Sequence, residues 1–309
     1  MLKDHYILRQ VHPTLPLSIY NYSQDATFDN VWNHETMTCR GLIVDREDNV
    51  IARPFRKFFN LNDIRQPGTM EANLPKTAPT VTEKMDGSLG IYWIYRGYEG
   101  IATRGSFTSE QSQWATRYLK NYWSTKFYTI ACDGFTPVFE IIYHENRIVV
   151  DYDFEGLILL SVIRNSDGSE IARPELVEMF KGIGFPLVRE FNKSLAQIVS
   201  ENVKNSEGYV LCWPGKTPGI PHRVKAKFPD YMRLHKLIIG VSPKSLHHML
   251  MEGHDPISAM GEGLPPTFVE WMEHWTKLFH DEYDRILKSS TDIYNDLESK
   301  SSHYTRKQR

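Results

Sequence analysis

The spacing of apolar residues changes near residue 230, and this change constrains the fold more than any other feature of the sequence. Before it, short apolar and aromatic runs alternate with turn signals, as β-strands do. After it, apolar residues recur at three- and four-residue steps, as on one face of a helix. The sequence therefore predicts an α+β domain of largely antiparallel sheets over residues 1–233 and a small all-helical C-terminal domain over 234–309.

The individual elements follow from the same patterns. Strands are predicted at residues 40–45, 50–53, 80–84, 89–95, 99–104, 137–143, 147–150, 156–163, 207–213 and 222–228. Helices are predicted from Ser109 to Trp123 and from Pro174 to Lys181, because cap residues or a proline mark their starts. A long amphipathic helix is predicted from Phe268 to Leu287. Strands and helices do not alternate, which argues against a βαβ fold.

Composition narrows the class of protein. The chain has 309 residues, of which 41% are hydrophobic and 24% charged, as in ordinary globular proteins. A net charge of -2 provides no global basic field, so contact with nucleic acid would need a local patch. The three cysteines form no Cys-x-x-Cys pair, which favours a reducing compartment without structural zinc. No apolar run approaches membrane-spanning length and no signal peptide is evident, so a soluble, cytoplasmic protein is expected.

The stretch from Val81 to Tyr92 carries the strongest chemical signal. A β-branched run leads into Lys84, Asp86-Gly87 then turns the chain, and a second apolar run follows. Lys84 is therefore predicted at a strand end with its amine in a cleft. Lys-x-Asp-Gly in this setting is typical of enzymes whose lysine attacks the α-phosphate of a nucleoside triphosphate. Because roughly one chain in fifteen of this length contains the motif by chance, an exposed hairpin lysine is the alternative interpretation.

Two further lysines lie in the run from His222 to Phe228. Positions i and i+2 of a strand share a face, so Lys225 and Lys227 are predicted to point the same way. Two co-facing amines suit an α-phosphate, and each lowers the pKa of the other. The alternative is a solvated strand face.

Carboxylates and upstream cations complete the candidate set. Glu140 lies inside an apolar strand, where it needs a ribose hydroxyl, a metal ion or a structural arginine as its partner. Glu207 opens the strand before the lysine pair. Arg40, Lys57 and Arg104 could bind phosphates, and the aromatic rings beside Lys57 could stack on a purine or pack in the core.

The order of these residues resembles that of the ATP-dependent RNA ligases typified by RNA ligase 1 of the T-even phages, a tRNA-repair ligase. The resemblance covers residues 17–260, and its segments include Ile19-Tyr20-Asn21-Tyr22, Cys39-Arg40-Gly41, Lys57 to Asn62, Lys84-x-Asp86-Gly87, Asn146-Arg147-Ile148-Val149, Glu207-Gly208-Tyr209-Val210 and Lys225-x-Lys227. It implies a covalent nucleotidyltransferase domain with ATP-grasp-like antiparallel sheets.

The resemblance also implies a role for each matching residue. Lys84 would be the adenylated nucleophile. ATP would be bound by Tyr20, Arg40, Lys57, Phe59, Glu140, Lys225 and Lys227. Catalysis would be supported by Asp86, Arg104, Glu207 and Tyr231. Asp255 would correspond to the aspartate that binds Mg²⁺ (or Mn²⁺) in the helical C-terminal region of the family.

The implied activity is ATP-dependent joining of 5′-phosphate and 3′-hydroxyl RNA ends through lysyl-AMP and adenylated RNA, in RNA or tRNA repair. The expected partner is single-stranded RNA or cleaved tRNA, with no membrane, and a monomer is expected. A phage or viral origin is compatible with the resemblance. The alternatives are a DNA ligase, an mRNA-capping nucleotidyltransferase or an inactive RNA-end-binding module. The first two usually carry an OB-fold barrel after the last lysine motif, whereas the residues after Lys227 are predicted to be helical.

Overall fold

The computed structural model describes residues 4–122, 124–261 and 263–301. Its packing divides the chain into two compact units that separate after Met232. Among the described residues, the strands all lie in the first unit and the second contains helices. The predicted α+β class with antiparallel sheets and a helical C-terminal region is therefore confirmed. The division into an adenylyltransferase domain and a separate C-terminal domain stays a prediction.

The strands form three sheets. Their bounds are β1 Ile7–Val11, β2 Leu17–Tyr22, β3 Arg40–Asp45, β4 Val50–Ala52, β5 Phe59–Asn60, β6 Thr80–Glu83, β7 Ser88–Tyr95, β8 Tyr98–Ala102, β9 Phe135–Ile142, β10 Gly156–Arg164, β11 Glu190–Phe191, β12 Gly208–Trp213 and β13 His222–Lys227. The strand orders are β1-β2-β3-β4, β10-β9-β7-β8 and β11-β6-β12-β13-β5. All of these pairings are antiparallel except that of β13 with the short strand β5.

The helices cover the sheets and form the C-terminal region. Their bounds are α1 Gln24–Phe28, α2 His34–Thr38, α3 Glu110–Tyr122, α4 Ser124–Cys132, α5 Arg173–Phe180, α6 Leu195–Ser200, α7 Pro229–Gly240, α8 Pro243–Met251, α9 Pro256–Met260 and α10 Pro266–Ser301. The predicted helix over 109–123 corresponds to α3, although Trp123 lies outside the described residues.

The sheet built around β9 is covered on one face by α3 and α4. Leu119 of α3 and Phe127 of α4 pack against Phe139 and Ile141 of β9, and all four are buried. Because successive side chains of a strand point to opposite faces, Glu140 is directed away from these helices. The helical layer thus leaves the other face of the sheet available for polar side chains.

The prediction of a strand at 147–150 is wrong, because this segment is an irregular loop. The backbone N–H groups of Val149 and Val150 both donate to Oδ2 of Asp86, at 2.9 Å each. A buried side chain therefore supplies the hydrogen bonds that a neighbouring strand would otherwise provide. Apolar composition alone indicated a strand and gave no sign of this acceptor.

The segment from Lys84 to Gly87 also differs from a hairpin turn. It leads from β6 to β7, which belong to different sheets. Gly87 is needed because a Cβ at this position would lie 2.5 Å from the carbonyl oxygen of Ile141. The motif thus carries the chain across the gap between two sheets, and Lys84 lies where one of them ends.

The second unit has its own small apolar core. Leu246 of α8, Met260 of α9 and Phe268 and Met272 of α10 are buried together. The predicted amphipathic helix is confirmed, and it extends to Ser301. Within the described part of the chain, no helix is both long and apolar enough to cross a membrane.

We predict that Gly208→Ala destabilises the protein. Gly208 has a φ of +141°, and an added Cβ would lie 2.0 Å from the carbonyl oxygen of Ala226 on the paired strand. The strain should cost about 2–4 kcal/mol and lower the Tm by about 5–10 °C in a thermal melt. Gly105→Ala is the matched control, because no atom lies within 4 Å of its added Cβ. Equal melting temperatures of the two variants would contradict the prediction.

Candidate active site

Two lysine amines share one buried carboxylate. The Nζ atom of Lys84 lies 2.7 Å from Oε2 of Glu207, and the Nζ atom of Lys227 lies 2.8 Å from Oε1. The Glu207 side chain is 3% exposed, whereas each lysine is 20% exposed. The carboxylate therefore holds two cations together at a place that solvent and small ligands can still reach.

Strand register brings these three residues together. In the sheet, β12 lies between β6 and β13. Lys84 directly follows β6, and its N–H donates to the carbonyl of Gly208 at the start of β12. Gly208 in turn pairs with Lys227 at the end of β13. The predicted strand-end position of Lys84 is therefore the position that this sheet gives it.

Lys225 contributes a third amine from the same strand face as Lys227. Burial, together with the charges of Lys57, Lys84 and Lys227, lowers the pKa of Lys225 from 10.5 to about 7. In the absence of a ligand, the Lys225 amine therefore loses its proton at a lower pH than an exposed lysine does. An anionic phosphate nearby would favour the protonated amine, so ligand binding and protonation are coupled here.

Glu140 faces the segment that carries Lys84. Its Oε1 accepts a hydrogen bond from the N–H of Gly87 at 3.0 Å. Burial raises the pKa of Glu140 to about 8, although the charge of Lys84 opposes this shift. A carboxyl group that is largely protonated at pH 7 can both donate and accept hydrogen bonds. That property suits a ribose hydroxyl as its partner.

A cavity of about 930 Å³ lies beside these groups, which is large enough for a nucleotide. Lys84, Glu140, Arg40 and Arg104 are among the residues that line it. Nη1 of Arg40 and Oδ1 of Asn21, which also lines the cavity, are buried and have no hydrogen-bond partner among the described residues. Such atoms are costly to bury alone, so they are available to a polar ligand.

A bulge at Gly41 brings Arg40 close to Arg104. Tyr20 pairs with Leu42 and Asn21 pairs with Arg40, so the pairing of β2 with β3 skips Gly41. Gly41 has a φ of +101°, and its missing Cβ would lie 3.3 Å from Cα of Arg104. The Cys39-Arg40-Gly41 segment thus lets two backbones approach closely and places two cations at one site.

Tyr22, to which the sequence alone gives no role, lies among the predicted cations. Its hydroxyl accepts hydrogen bonds from Nη1 of Arg104 at 3.0 Å and from Nζ of Lys57 at 3.4 Å. Its one signal in the sequence is its place in the Ile19-Tyr20-Asn21-Tyr22 segment, where the resemblance points to Tyr20 instead. Tyr20 is not among the cavity-lining residues, and the guanidinium carbon of Arg9 lies 6.0 Å from its ring centre. Its predicted role in ATP binding stays a prediction.

Lys57 and Phe59 line a smaller neighbouring cavity of about 260 Å³. The Nζ atom of Lys57 lies 5.3 Å from the ring centre of Phe59. Burial lowers the pKa of Lys57, and the charges of Arg40 and Arg104 act in the same direction. The predicted nucleotide-binding pair is therefore adjacent in space, beside the main cavity rather than in its wall.

Asp86 has a supporting position in this geometry. Its buried carboxylate accepts hydrogen bonds from Val149 and Val150, and from the hydroxyl of Tyr231 at 2.7 Å. The hydroxyl of Tyr152 accepts a hydrogen bond from the N–H of Asp86 at 2.8 Å. These hydrogen bonds fix the position of the segment that carries Lys84. A direct catalytic role for Asp86 stays a prediction.

Asp255 is exposed and caps α9 by accepting a hydrogen bond from the N–H of Ser258 at 2.9 Å. Its hydrogen bonds with Ser258 lower its pKa, so it is ionised at neutral pH. The described residues contain no group of three or more His, Cys, Asp or Glu placed to hold a metal ion. A metal at Asp255 would need most of its ligands from substrate and water, and the assignment stays a prediction.

We predict that Lys225→Met stabilises the ligand-free protein at low pH. The folded-state pKa of about 7 lies below the ordinary 10.5, so the cost of burying a charged lysine is fully present below pH 7. This cost disappears as the pH rises towards 10.5. The variant should melt about 5 °C above the parent at pH 6, and the difference should shrink by pH 9. Lys181→Met, at an exposed lysine, is the control. A difference that does not change with pH would contradict the prediction.

Comparisons with known proteins agree with this geometry. The profile of a protein family described as RNA ligase matches residues 38–231. A protein of Thermovibrio ammonificans, named provisionally as an RNA ligase, is 30% identical over 222 residues, which cover 70% of this chain and 57% of that protein. The RNA ligase of Rhodothermus phage RM378 is 23% identical over 307 residues, covering 76% of this chain and 68% of that protein.

A solved structure of an archaeal ATP-dependent RNA ligase has the same fold. The TM-score is 0.54 at 15% identity, and the match covers 75% of this chain and 60% of the archaeal one. The predicted nucleotidyltransferase fold is thereby confirmed. The chain spans less than two thirds of the length of both the Thermovibrio and the archaeal protein. Because the family profile covers more than half of its residues, the chain belongs to the RNA ligase family typified by RNA ligase 1 of the T-even phages.

Proposed function

We propose that the protein is an ATP-dependent RNA ligase that joins 5′-phosphate and 3′-hydroxyl ends through a lysyl-AMP intermediate. The observation that carries this proposal is the Lys84 amine, held by Glu207 next to Lys227 in the wall of a nucleotide-sized cavity. The names of the related proteins, which include an ATP-dependent RNA ligase, support the same reaction. One chain supplies all of these groups, so a monomer is sufficient.

In the first step, the Lys84 amine attacks the α-phosphorus of ATP. The amine must be neutral to attack, and Glu207 at 2.7 Å is placed to take its proton. A bond forms between Nζ and the α-phosphorus, and the bond from that phosphorus to the bridging oxygen of the β-phosphate breaks. Pyrophosphate leaves with the electron pair. Lys225 and Lys227 face the same side and would stabilise the negative charge on the phosphate.

The second and third steps use the bound AMP. An oxygen of the RNA 5′-phosphate attacks the phosphorus of lysyl-AMP, and the bond to Nζ breaks. The nitrogen keeps the electron pair and takes a proton back from Glu207, which returns the lysine and gives adenylated RNA. A 3′-hydroxyl then attacks the activated 5′-phosphate, losing its proton, and AMP leaves. Glu140 would hold the ribose of AMP throughout, because its neutral carboxyl can exchange hydrogen bonds with a hydroxyl.

A magnesium ion fits this donor set if it arrives with the nucleotide. Mg²⁺ commonly binds through one or two carboxylates, substrate phosphates and water. The isolated carboxylates among the described residues suit that mode better than a dedicated all-protein cage. Asp255, in the second unit, stays our proposed protein ligand for a metal ion on the strength of the resemblance alone. A bound ion of this kind supplies positive charge to phosphate groups.

RNA is the substrate that we favour over DNA. Every element described between Lys227 and Ser301 is helical, which does not fit the OB-fold barrel that usually follows the last lysine motif in DNA ligases and capping enzymes. We propose single-stranded RNA or cleaved tRNA as the natural substrate, in RNA repair.

The covalent step is tested with ATP labelled at the α-phosphate. With Mg²⁺ present, we expect the parent protein to acquire an acid-stable label and Lys84→Ala to acquire none, because the attacking amine is absent. Lys181→Ala removes an exposed lysine and should label like the parent. An unlabelled parent, or a labelled Lys84→Ala variant, would falsify the mechanism.

The substrate is tested by comparing strands that carry 5′-phosphate and 3′-hydroxyl ends. We expect single-stranded RNA or cleaved tRNA to be sealed at least about tenfold faster than nicked DNA, because RNA recognition uses 2′-hydroxyls that DNA lacks. RNA with a 5′-hydroxyl end is the negative control. Equal sealing of nicked DNA would identify a DNA ligase, and RNA binding without lysyl-AMP would identify an inactive end-binding module.

A further inference from the structure

Three cations converge on one phenol at the edge of the site. The Tyr22 hydroxyl accepts hydrogen bonds from Arg104 and Lys57, at 3.0 and 3.4 Å. Its ring centre lies 5.2 Å from the guanidinium carbon of Arg104 and 5.0 Å from Nζ of Lys57. Arg40 acts on the same phenol through its charge. Tyr22 is buried, so this geometry is enclosed by protein.

In the described part of the chain, no carboxylate lies within 4.0 Å of the three cations of this cluster. Among the ion pairs of the described residues, all within 4.0 Å, none includes Arg40, Lys57 or Arg104. Three like charges with no carboxylate in contact repel one another, although Glu140 acts on Arg40 from farther away, and partial burial strengthens the repulsion. The arrangement is therefore matched to an anion of high charge that comes from outside the chain.

Neutral aromatic rings, rather than a carboxylate, contact the ammonium group of Lys57. Its Nζ atom lies 4.9 Å from the ring centre of Trp32, in addition to its contacts with the rings of Tyr22 and Phe59. The edge of Trp32 packs against both of those rings. Cation–π contacts at these distances orient an ammonium group and leave its charge in place. The rings thus orient the ammonium group of Lys57 without neutralising its positive charge.

The charges at Tyr22 are strong enough to change its acidity. Burial alone would raise the pKa of Tyr22, but Arg104, Lys57 and Arg40 lower it below its ordinary value. The same cluster acts on the lysines around Glu207, because Lys57 and Arg40 are among the charges that lower the pKa of Lys225. Two groups of cations therefore lie side by side.

We infer that Tyr22 is a positioning residue that holds Lys57 and Arg104 where the pyrophosphate part of ATP binds and departs. This inference rests on the proposed ligase function. With the α-phosphate at Lys84, the lysines of β13 serve that phosphate, and the cluster around Tyr22 is left for the β- and γ-phosphates. When the bond to the α-phosphorus breaks, the pyrophosphate gains negative charge, and the oriented cations stabilise it.

The test compares Tyr22→Phe with Tyr98→Phe, which removes a hydroxyl from an exposed tyrosine to which no role in the site is assigned. Tyr22→Phe keeps the ring and its packing and removes only the hydrogen-bond acceptor. Four quantities are measured: the rate of lysyl-AMP formation, its reversal by pyrophosphate, the sealing of pre-adenylated RNA, and the binding of inorganic pyrophosphate by calorimetry.

We expect Tyr22→Phe to slow lysyl-AMP formation about tenfold or more and to weaken pyrophosphate binding and reversal similarly, as the loss of hydrogen bonds to charged groups does. Sealing of pre-adenylated RNA releases no pyrophosphate and should change less than about twofold, as should every property of Tyr98→Phe.

Three results would overturn the inference: unchanged pyrophosphate binding in Tyr22→Phe, an equal loss in all reactions, which would indicate a merely structural role, or a larger effect of Tyr98→Phe. Calorimetry separates this inference from the proposed function. A parent protein that binds pyrophosphate through Tyr22 but never labels would leave the inference standing and remove the ligase reaction.

Discussion

The site depends on one buried carboxylate, Glu207, which joins the amines of Lys84 and Lys227. Without it, two ammonium groups at this spacing would repel each other, and one of them would turn towards solvent. The carboxylate works only because the three residues lie at the ends of adjacent strands. A shift in register by one residue would move each side chain to the other face of the sheet and separate the group. The chemistry of the site is therefore a property of strand pairing.

Much of this arrangement follows from simple rules of strand geometry. The two-residue repeat predicts that Lys225 and Lys227 share a face, and a carboxylate in an apolar strand predicts that Glu140 has an unusual environment. The structure brings these residues together with Lys84 and raises the pKa of Glu140, as the burial of an acid requires. Local sequence was sufficient here because each residue is placed by its own strand.

Other features depend on distant residues and could not be predicted in this way. Alternation along β2 treats Tyr20 and Tyr22 as equivalent. Residues of other segments distinguish them, because Arg9 lies near Tyr20 whereas Arg104 and Lys57 donate to Tyr22. The loop at 147–150 has the composition of a strand, but its N–H groups are taken by Asp86, more than sixty residues earlier. In both cases a contact between remote segments outweighs a local preference, and no single window of sequence contains both partners.

The path of the chain from Lys84 to Gly87 has a mechanical consequence. Lys84 lies at the end of the sheet that contains β6, whereas Glu140 belongs to the sheet that contains β9. If the proposed function holds, a nucleotide held by both residues would span the gap between these sheets and resist their separation. This resistance to separation would be strongest while AMP is covalently attached and would be lost when AMP leaves. The rigidity of the protein would then rise and fall once in every catalytic cycle, in step with the chemistry.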